Sequence, residues 1–231
     1  MPRVARLVVP GLPHHITQRG NNRQDVFFTD DDRRFYLRTL HEQASRYRLA
    51  IIAYCLMTNH VHLVAVPRDG DSLARALGST HLKYARYVNH LHGRSGHLWQ
   101  NRFHSCALGP EHELASVRYA ERNPVRARLV RAAWTYPWSS AAAHCGGGDA
   151  SALLDLRAWR RRYDHADWKN ILRAPDDDDD RIMAHELRRR TLGGRPLGSD
   201  RFIARLEAAL GRRLRPPPMG RPRARAKRTP G

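Results

Sequence analysis

The segment Ala50-Ile-Ile-Ala-Tyr-Cys-Leu-Met-Thr-Asn-His-Val-His-Leu-Val-Ala-Val66 is the longest apolar stretch of the chain, and the fold is organised around it. Residues 50–57 are almost wholly apolar, which predicts a buried strand. The polar pair Thr58-Asn59 suits a tight turn. A second strand then runs from His60 to Val66 and ends before Pro67. The stretch therefore predicts two neighbouring strands joined by a short turn.

Two histidines lie in the second of these strands. Side chains alternate between the two faces of a strand, so His60 and His62 point the same way. Two imidazoles side by side form a ready pair of metal ligands, and burying them costs free energy unless a partner satisfies them. The alternative is that both rings make ordinary hydrogen bonds at a sheet edge. The spacing alone does not decide, because 14 histidines in 231 residues give about one His-x-His by chance, and His90 and His92 form another.

The net charge of the chain indicates its class of partner. The sequence has 41 Lys and Arg residues against 22 Asp and Glu, a formal net charge of +19. Such an excess predicts a polyanionic partner, with nucleic acid first. The abundance of arginine suits bidentate contacts to phosphate or guanine. A membrane surface is the alternative partner for a basic protein, but no basic amphipathic helix dominates the sequence, and we expect no membrane binding.

Targeting and cysteine patterns add little to this picture. The apolar run Leu7-Val8-Val9 is too short for a signal peptide, and no segment approaches the length of a membrane span. Cys55, Cys106 and Cys145 are far apart and include no Cys-x-x-Cys, so neither a zinc ribbon nor a disulfide framework is expected. We therefore expect a cytoplasmic, nucleoid-associated protein.

Hydrophobic periodicity and turn residues predict the order of the other elements. Thr29 and Asp32 have the pattern of a capping box, which marks the start of the first helix. Pro124 disfavours helical geometry at the preceding residue, so Asn123 is expected in the frayed last turn of the third helix. The predicted elements are, in chain order, a strand over 12–19, a helix from 29, the strands over 50–57 and 60–66, a helix from 72 to about 91, a strand over 98–108 and a helix from 111 to about 122.

Basic side chains on these elements are candidate DNA contacts. Strand alternation places Arg19 on the same face as His15 and Thr17, and it places Gln100, Arg102 and His104 on one face of the fourth strand. Arg23 lies in the polar loop over 20–23, and Lys83 and Arg86 lie off the apolar stripe of the second helix. For any single one of them, a solvated surface is at least as good an interpretation. The candidate contacts are Arg19, Arg23, Lys83, Arg86 and Arg102.

The composition changes after Gly146-Gly-Gly148, which divides the chain into three regions. We expect a first domain over 1–145, a helical C-terminal extension over 146–211 and a disordered basic tail over 212–231. In the extension, helices are interrupted by the acidic run over 176–180 and by the glycine-containing segment over 193–198. The tail has eight Lys and Arg residues, five prolines and no acidic residue, and this composition is typical of disorder.

Three features of the first domain suggest one chemistry. They are the histidine pair, Tyr119 on a later helix, and Asn123, which lies four residues further and so on the same helix face. A divalent ion held by His60, His62 and Asn123 could polarise a phosphodiester as a Lewis acid, and Tyr119 could then attack phosphorus. The product would be a covalent phosphotyrosine and a free 3′-hydroxyl, which conserves the phosphoester energy for rejoining. A packing role is the alternative for Tyr119.

Several motifs together resemble the single-tyrosine HUH (IS200-like) transposase family, and most closely its REP-associated branch. The resemblance covers residues 5 to 145. The motifs that carry it are Thr58-Asn-His-Val-His-Leu-Val64, Trp99-Gln-Asn-Arg-Phe103, Val117-Arg-Tyr-Ala-Glu-Arg-Asn-Pro-Val125, His14-His-Ile-Thr-Gln-Arg-Gly-Asn-Asn-Arg23 and Tyr136-Pro-Trp-Ser-Ser140.

The resemblance implies an α+β fold, with a ferredoxin-like antiparallel sheet and helices on one face. It implies His60, His62 and Asn123 as ligands of Mg²⁺ or Mn²⁺ and Tyr119 as the nucleophile. Histidine ligands suit transition ions, so Mn²⁺ is expected to work at least as well as Mg²⁺. The implied substrate is single-stranded hairpin DNA, cut and rejoined by a transposase that acts as an endonuclease and strand transferase.

Other interpretations stay open at this point. A DNA- or RNA-binding regulator that does not cleave would need the same basic surface. A metal phosphoesterase would use water in place of Tyr119. The protein is a monomer or a homodimer; the sequence does not distinguish them.

Overall fold

The computed structural model of the protein describes residues 6–163 and 165–215. Four strands form one sheet: β1 His14–Arg19, β2 Leu49–Met57, β3 His60–Pro67 and β4 His104–Ala107. The α-helices within the described residues are α1 Asp30–Arg46, α2 Ser72–Leu91, α3 Pro110–Glu121, α4 Asn123–Arg126, α5 Ala141–His144, α6 Leu156–Arg162, α7 His165–Arg173, α8 Asp178–Gly193 and α9 Asp200–Leu210.

The sheet has the strand order β2-β3-β1-β4, and every neighbouring pair is antiparallel. Helix α1 connects β1 to β2, and α2 connects β3 to β4, so the first half of the chain is a ferredoxin-like β-α-β-β-α-β unit. Met57 pairs with His60 across the tight turn between β2 and β3. The expected α+β class and its antiparallel sheet are confirmed.

Helices α1 and α2 cover one face of the sheet. Ile16, Val61 and Leu63 point from β1 and β3 into this core and are completely buried. Tyr36 of α1 and Tyr84 of α2 meet them there with their rings in edge contact. This core is the large apolar cluster that stabilises the sheet, since burial of such side chains is the main driving force of folding.

A second layer of helices covers the opposite face, where the sequence predicts none. Val64 and Cys106 of the sheet pack with Val117 of α3, Trp168 of α7 and Leu187 of α8. Two of these helices belong to the C-terminal extension. The extension therefore supplies part of the apolar cover that the second face of the sheet needs.

The fourth strand is shorter than predicted, because residues 98–103 form a loop. In that loop, the carbonyl of Leu98 accepts from the amide of Asn21 at 2.8 Å, and the Trp99 indole donates to the carbonyl of His81 at 3.1 Å. These bonds satisfy polar groups that a strand would pair in a ladder. The predicted common strand face of Gln100, Arg102 and His104 is therefore wrong.

The prediction that Asn123 lies in the last turn of α3 is wrong. Asn123 begins a short helix of its own. Pro124 lies in the first turn of α4, a position that tolerates its missing N–H. The Asn123 side-chain amide donates to the carbonyl of Tyr119 at 2.9 Å and to that of Ala120 at 3.2 Å. It thereby satisfies carbonyls at the end of α3, which have no partner within that helix, and it stays beside Tyr119.

The C-terminal extension is helical, as expected. Asp177 and Asp180 of the acidic run form a capping box at the start of α8, and Gly194 ends that helix in the left-handed conformation with φ +63°. Residues 212–215 are part of the fold, where a disordered tail is predicted: Leu214 is buried against Phe202 and Leu7. The rest of that predicted tail, over 216–231, lies outside the described residues. None of the helices in the described ranges is both long enough and apolar enough to cross a membrane.

A buried carboxylate ties α3 to the helices that follow it. Glu121 is completely buried. Its carboxylate accepts from the Ser140 hydroxyl, from the Trp168 indole at 2.9 Å and from His144 Nδ1 at 2.6 Å. A buried carboxylate is stable only where donors satisfy it, so this group joins α3, α5 and α7 into one unit.

Replacement of Glu121 by Ala should lower the free energy of unfolding by about 3 kcal/mol or more, because three buried donors lose their acceptor. Urea denaturation followed by tryptophan fluorescence measures this loss. Glu121→Gln keeps the shape and one acceptor oxygen and should lose less. A loss below about 1 kcal/mol for Glu121→Ala would contradict the role of the carboxylate.

Candidate metal and nucleophile site

The register of the sheet brings polar side chains together on the face that α3 and α8 cover. Thr17 in the middle of β1 pairs with His62 of β3 and with His104 of β4. Arg19 pairs with His60. Directly paired residues lie on the same face of a sheet, so these five side chains stand side by side.

A cavity of about 440 Å³ lies over this row of side chains. Strands β1 and β3 form its floor, and α3, α4 and α8 contribute to its walls. The lining includes three arginines and, within the described part of the chain, no carboxylate. Such a cavity favours an anionic ligand. The lining residues are His15, Thr17, Arg19, Arg23, His60, His62, Gln100, His104, Tyr119, Asn123, Arg188, Thr191 and Leu192.

The four residues predicted for metal binding and nucleophilic attack all line this cavity: His60, His62, Tyr119 and Asn123. The rings of His60 and His62 are 5.0 Å apart, centroid to centroid, and the ring of Tyr119 stands edge-on to that of His62 at 5.5 Å. The structure thus places these four side chains together, although they come from β3, α3 and α4.

The five predicted DNA contacts divide between three places. Arg19 and Arg23 line the cavity. Arg86 and Arg102 line a separate groove of about 830 Å³ between α2 and the loop over 96–103. Lys83 lines neither, and its ammonium is 3.9 Å from a carboxylate oxygen of Glu42 on α1.

The loop that carries Arg23 depends on a glycine. A Cβ on Gly20 would lie 2.3 Å from the carbonyl oxygen of Gln24, so no larger residue fits there without a shift of the backbone. Asn22 and Arg23 both have positive φ, at 50° and 60°. The carbonyl of Arg23 accepts from the side-chain amide of Asn59 at 3.0 Å, which joins the loop to the turn before β3.

The same Asn59 side chain sets the proton position on His60. Its Oδ1 lies 2.6 Å from His60 Nδ1. A carbonyl oxygen can only accept, so Nδ1 of His60 carries the proton and Nε2 keeps its lone pair. Burial, followed by the charge of Arg19, lowers the pKa of His60 to about 4. The ring is therefore neutral at pH 7, which is the form that binds metal ions.

His62 is held through a second histidine. Its Nδ1 lies 3.1 Å from Nε2 of His15, and Nδ1 of His15 lies 2.8 Å from the hydroxyl of Thr191. Burial holds the pKa of His62 well below its usual range, with the charges of His60 and His15 acting in the same direction. Burial also lowers the pKa of His15 to about 3. Both rings are neutral, and Nε2 of His62 takes no part in this chain of hydrogen bonds.

Tyr119 is 8% exposed, and burial raises the pKa of its hydroxyl. The guanidinium groups of Arg188, Arg126 and Arg19 oppose this shift. Arg126 lies over the ring, with its guanidinium carbon 4.4 Å from the centroid. The phenol is neutral at pH 7 without a further partner, and three cations stand where they stabilise a phenolate.

The donor atoms around the cavity suit a divalent ion only in part. Within residues 6–163 and 165–215, no group of three or more His, Cys, Asp and Glu side chains could hold a metal ion. A divalent ion bound by the Nε2 atoms of His60 and His62 would need an oxygen ligand as well. Asn123 can supply it, because its amide nitrogen is already used by the carbonyls of α3 and its Oδ1 is not. Two imidazoles and one amide oxygen leave coordination positions for water or phosphate oxygens.

Ion pairs fix the extension against α3 and α4. Asp176 lies 2.9 Å from Arg122 Nε, 3.2 Å from Arg118 and 3.6 Å from Arg126. Arg118 also reaches Asp180 at the start of α8 at 2.6 Å. The guanidinium groups of Arg118 and Arg122 further donate to backbone carbonyls over 171–175. This arginine–aspartate cluster holds α8, which carries Arg188 and Thr191, over the cavity.

The lining and neighbouring residues that were not predicted as site residues include His15, Arg126, Arg188 and Thr191. For His15 a signal existed, since alternation places it on the same face as Arg19. Its contact with His62 depends on the pairing of β1 with β3, which the sequence does not show. Arg188 and Thr191 reach the cavity from a helix whose position depends on tertiary contacts across the second sheet face.

Comparison with known proteins identifies the family of this fold. The family model described as "Transposase IS200 like" matches residues 8–123, half of the chain. A solved structure of a REP-associated tyrosine transposase bound to a REP hairpin is similar with a TM-score of 0.54, at 19% sequence identity over 68% of this chain and 90% of that chain. This likeness shows a shared fold.

A second solved structure is a protein proposed to be a transposase, from Deinococcus radiodurans R1. Its TM-score is 0.35, at 19% identity over 55% of this chain and 92% of that chain. No curated protein matches this chain in sequence.

Replacement of Asp176 by Ala should loosen the extension, because three arginines lose a carboxylate partner. We expect a loss of about 2 kcal/mol in the free energy of unfolding and faster amide hydrogen exchange in α8. The matched control is Asp178→Ala, since Asp178 pairs with the exposed Arg181 of its own helix; this variant should cost less than about 1 kcal/mol. An equal loss of unfolding free energy in the two variants would contradict the stabilising role of the arginine–aspartate cluster.

Proposed function

The chain belongs to the IS200-like transposase family, and we propose on that premise that it is a metal-dependent endonuclease and strand transferase for single-stranded hairpin DNA. The observation that carries the proposal is the cavity itself. It combines a tyrosine hydroxyl, two neutral histidines with unused Nε2 atoms and an amide oxygen in one arginine-lined space. We assign the REP-associated branch from the motifs, residues 1–145 as the nuclease domain and residues 146–211 as an extension that completes the cavity wall.

The proposed substrate follows from charge and from the fold. The formal net charge of +19 favours a nucleic acid. The REP-associated transposase of similar fold is bound to a REP hairpin, and a hairpin of this kind is the proposed ligand here. Arg19 and Arg23 at the cavity would contact the phosphates of the strand to be cut. The groove that Arg86 and Arg102 line would contact neighbouring nucleotides.

His60, His62 and Asn123 would hold a divalent ion, Mg²⁺ or Mn²⁺, and such an ion supplies Lewis-acid polarisation of the scissile phosphate. Tyr119 would lose its proton to solvent, and the cations Arg188, Arg126 and Arg19 would stabilise the phenolate. Its oxygen then forms a bond to phosphorus as the bond from phosphorus to the 3′ oxygen breaks. The 3′ oxygen takes a proton from solvent and leaves as the 3′-hydroxyl, and a 5′-phosphotyrosine remains on the protein. Attack by a 3′-hydroxyl reverses these bonds and completes strand transfer.

A regulator that binds DNA or RNA without cleavage is the second candidate. The observation that favours it is the burial of the Tyr119 hydroxyl, which disfavours the phenolate. It predicts tight, salt-sensitive binding and no covalent product. A water-using phosphoesterase predicts cleavage without a covalent product.

Replacement of Tyr119 by Phe should abolish the covalent protein–DNA product and leave hairpin binding within about threefold, because the nucleophile is lost and the ring remains. A denaturing gel measures the product, with labelled hairpin oligonucleotides from the DNA beside the gene and with Mn²⁺, Mg²⁺ or EDTA. His62→Ala should lose the product as well. Metal-dependent cleavage by the wild-type protein with no covalent band would contradict the tyrosine mechanism.

Phosphate contacts at the cavity should be visible in the salt dependence of binding. Log affinity falls with log salt concentration, and each lost phosphate contact makes this slope shallower by about 1. We expect that change for Arg19→Ala and for Arg23→Ala in fluorescence anisotropy titrations. Lys83→Ala is the matched control, since Lys83 faces Glu42, and it should leave the slope nearly unchanged. A larger change of the slope in Lys83→Ala than in the two arginine variants would contradict this assignment and indicate that the DNA lies along α2.

A further inference from the structure

His15 is a buried histidine that the proposed chemistry does not use. It lies on β1, on the same sheet face as the histidine pair, and is 1% exposed. Its ring stacks on that of His62, with centroids 5.3 Å apart and planes 24° apart, and it stands edge-on to Tyr119 at 5.7 Å. It thus contacts both a proposed metal ligand and the proposed nucleophile.

Both ring nitrogens of His15 have a partner. Nε2 lies 3.1 Å from Nδ1 of His62, and Nδ1 lies 2.8 Å from Oγ1 of Thr191. Thr191 is itself completely buried and belongs to α8, 176 residues further along the chain. These hydrogen bonds form a relay from the C-terminal extension to the histidine pair.

The direction of this relay decides whether His62 can bind a metal ion. A neutral imidazole has one donor and one acceptor nitrogen. When Nδ1 of His62 donates to His15, Nε2 of His62 keeps its lone pair, and His15 donates in turn from Nδ1 to the Thr191 hydroxyl. In the opposite direction, Nε2 of His62 carries the proton and has no lone pair for a metal ion.

We propose that His15 and Thr191 are positioning residues that hold His62 in its metal-binding tautomer and ring orientation; this inference rests on the proposed metal site. In the proposed direction, the Thr191 hydroxyl, which can donate or accept, accepts the proton of His15 Nδ1. Without that hydroxyl, the N–H of His15 would be buried with no acceptor, which costs free energy. The proton would then move to Nε2 of His15 and reverse the relay. The extension thereby contributes to the proposed metal site without supplying a ligand.

Two matched pairs of variants test the relay in the full-length protein. Thr191→Val removes the hydroxyl at nearly constant shape, whereas Thr191→Ser keeps it. His15→Phe removes the ring nitrogens, whereas His14→Phe changes an equally buried histidine that points to the other sheet face and bonds to Leu12 and Val9. Mn²⁺ affinity is measured by titration calorimetry without DNA, and thermal unfolding without metal reports stability.

We expect Mn²⁺ affinity to fall about 10- to 100-fold in His15→Phe and about 10-fold in Thr191→Val, the range found for groups that orient metal ligands. Thr191→Ser and His14→Phe should stay within about threefold of the wild type. Nitrogen-15 NMR of the metal-free protein should find the proton of His62 on Nδ1 in the wild type and on Nε2 in Thr191→Val.

The outcomes separate this inference from the proposed function. Wild-type affinity in both His15→Phe and Thr191→Val, with lowered thermal stability alone, would overturn the relay and leave the metal site intact. A wild-type protein that binds no Mn²⁺ would overturn the proposed metal dependence and this inference with it. An Nε2 proton on His62 in the wild type would also contradict the relay.

Discussion

The antiparallel pairing of β1 with β3 is the constraint on which the rest of the site depends. It sets Thr17 opposite His62 and Arg19 opposite His60, and it places β1 between the histidine strand and β4. A shift of the register by one residue would move every one of these side chains to the other face. The apolar face prevents that shift, because Ile16, Val61 and Leu63 are buried against α1 and α2. The packing of one sheet face therefore fixes the polar array on the other.

A polar array on a buried sheet face has to be covered and satisfied at once. The cover comes from α3 and α8, and the arginine–aspartate cluster around Asp176 holds these helices together. The ring nitrogens of the array are satisfied by hydrogen bonds to groups outside it, such as Asn59 for His60 and Thr191 for His15. The buried rings stay neutral, and the positive charge of the cavity comes from arginines, which keep their charge when buried. An environment of this kind suits a phosphodiester beside a metal ion.

The sequence predicts the fold and the central residues better than it predicts their surroundings. Local signals suffice for the strand pair, for the capping box at Thr29 and for the face shared by His60 and His62. They fail at residues 98–103, which leave the strand because Asn21 and His81 bond to them. They also fail at Asn123, because a proline at the next position is compatible with the first turn of a new helix as well as with the end of the preceding one. The relay through His15 and Thr191 spans 176 residues, and no local pattern can indicate such a contact.

The central claim is that the Tyr119 hydroxyl, beside the histidine pair, becomes covalently linked to DNA. The most direct test is mass spectrometry of the protease-digested product, formed from wild-type protein, hairpin DNA and Mn²⁺ and then treated with nuclease. The account predicts one peptide that carries a nucleotide phosphate, with fragmentation placing the modification on Tyr119. A nucleotide on a different residue, or cleaved DNA with no modified peptide, would contradict it.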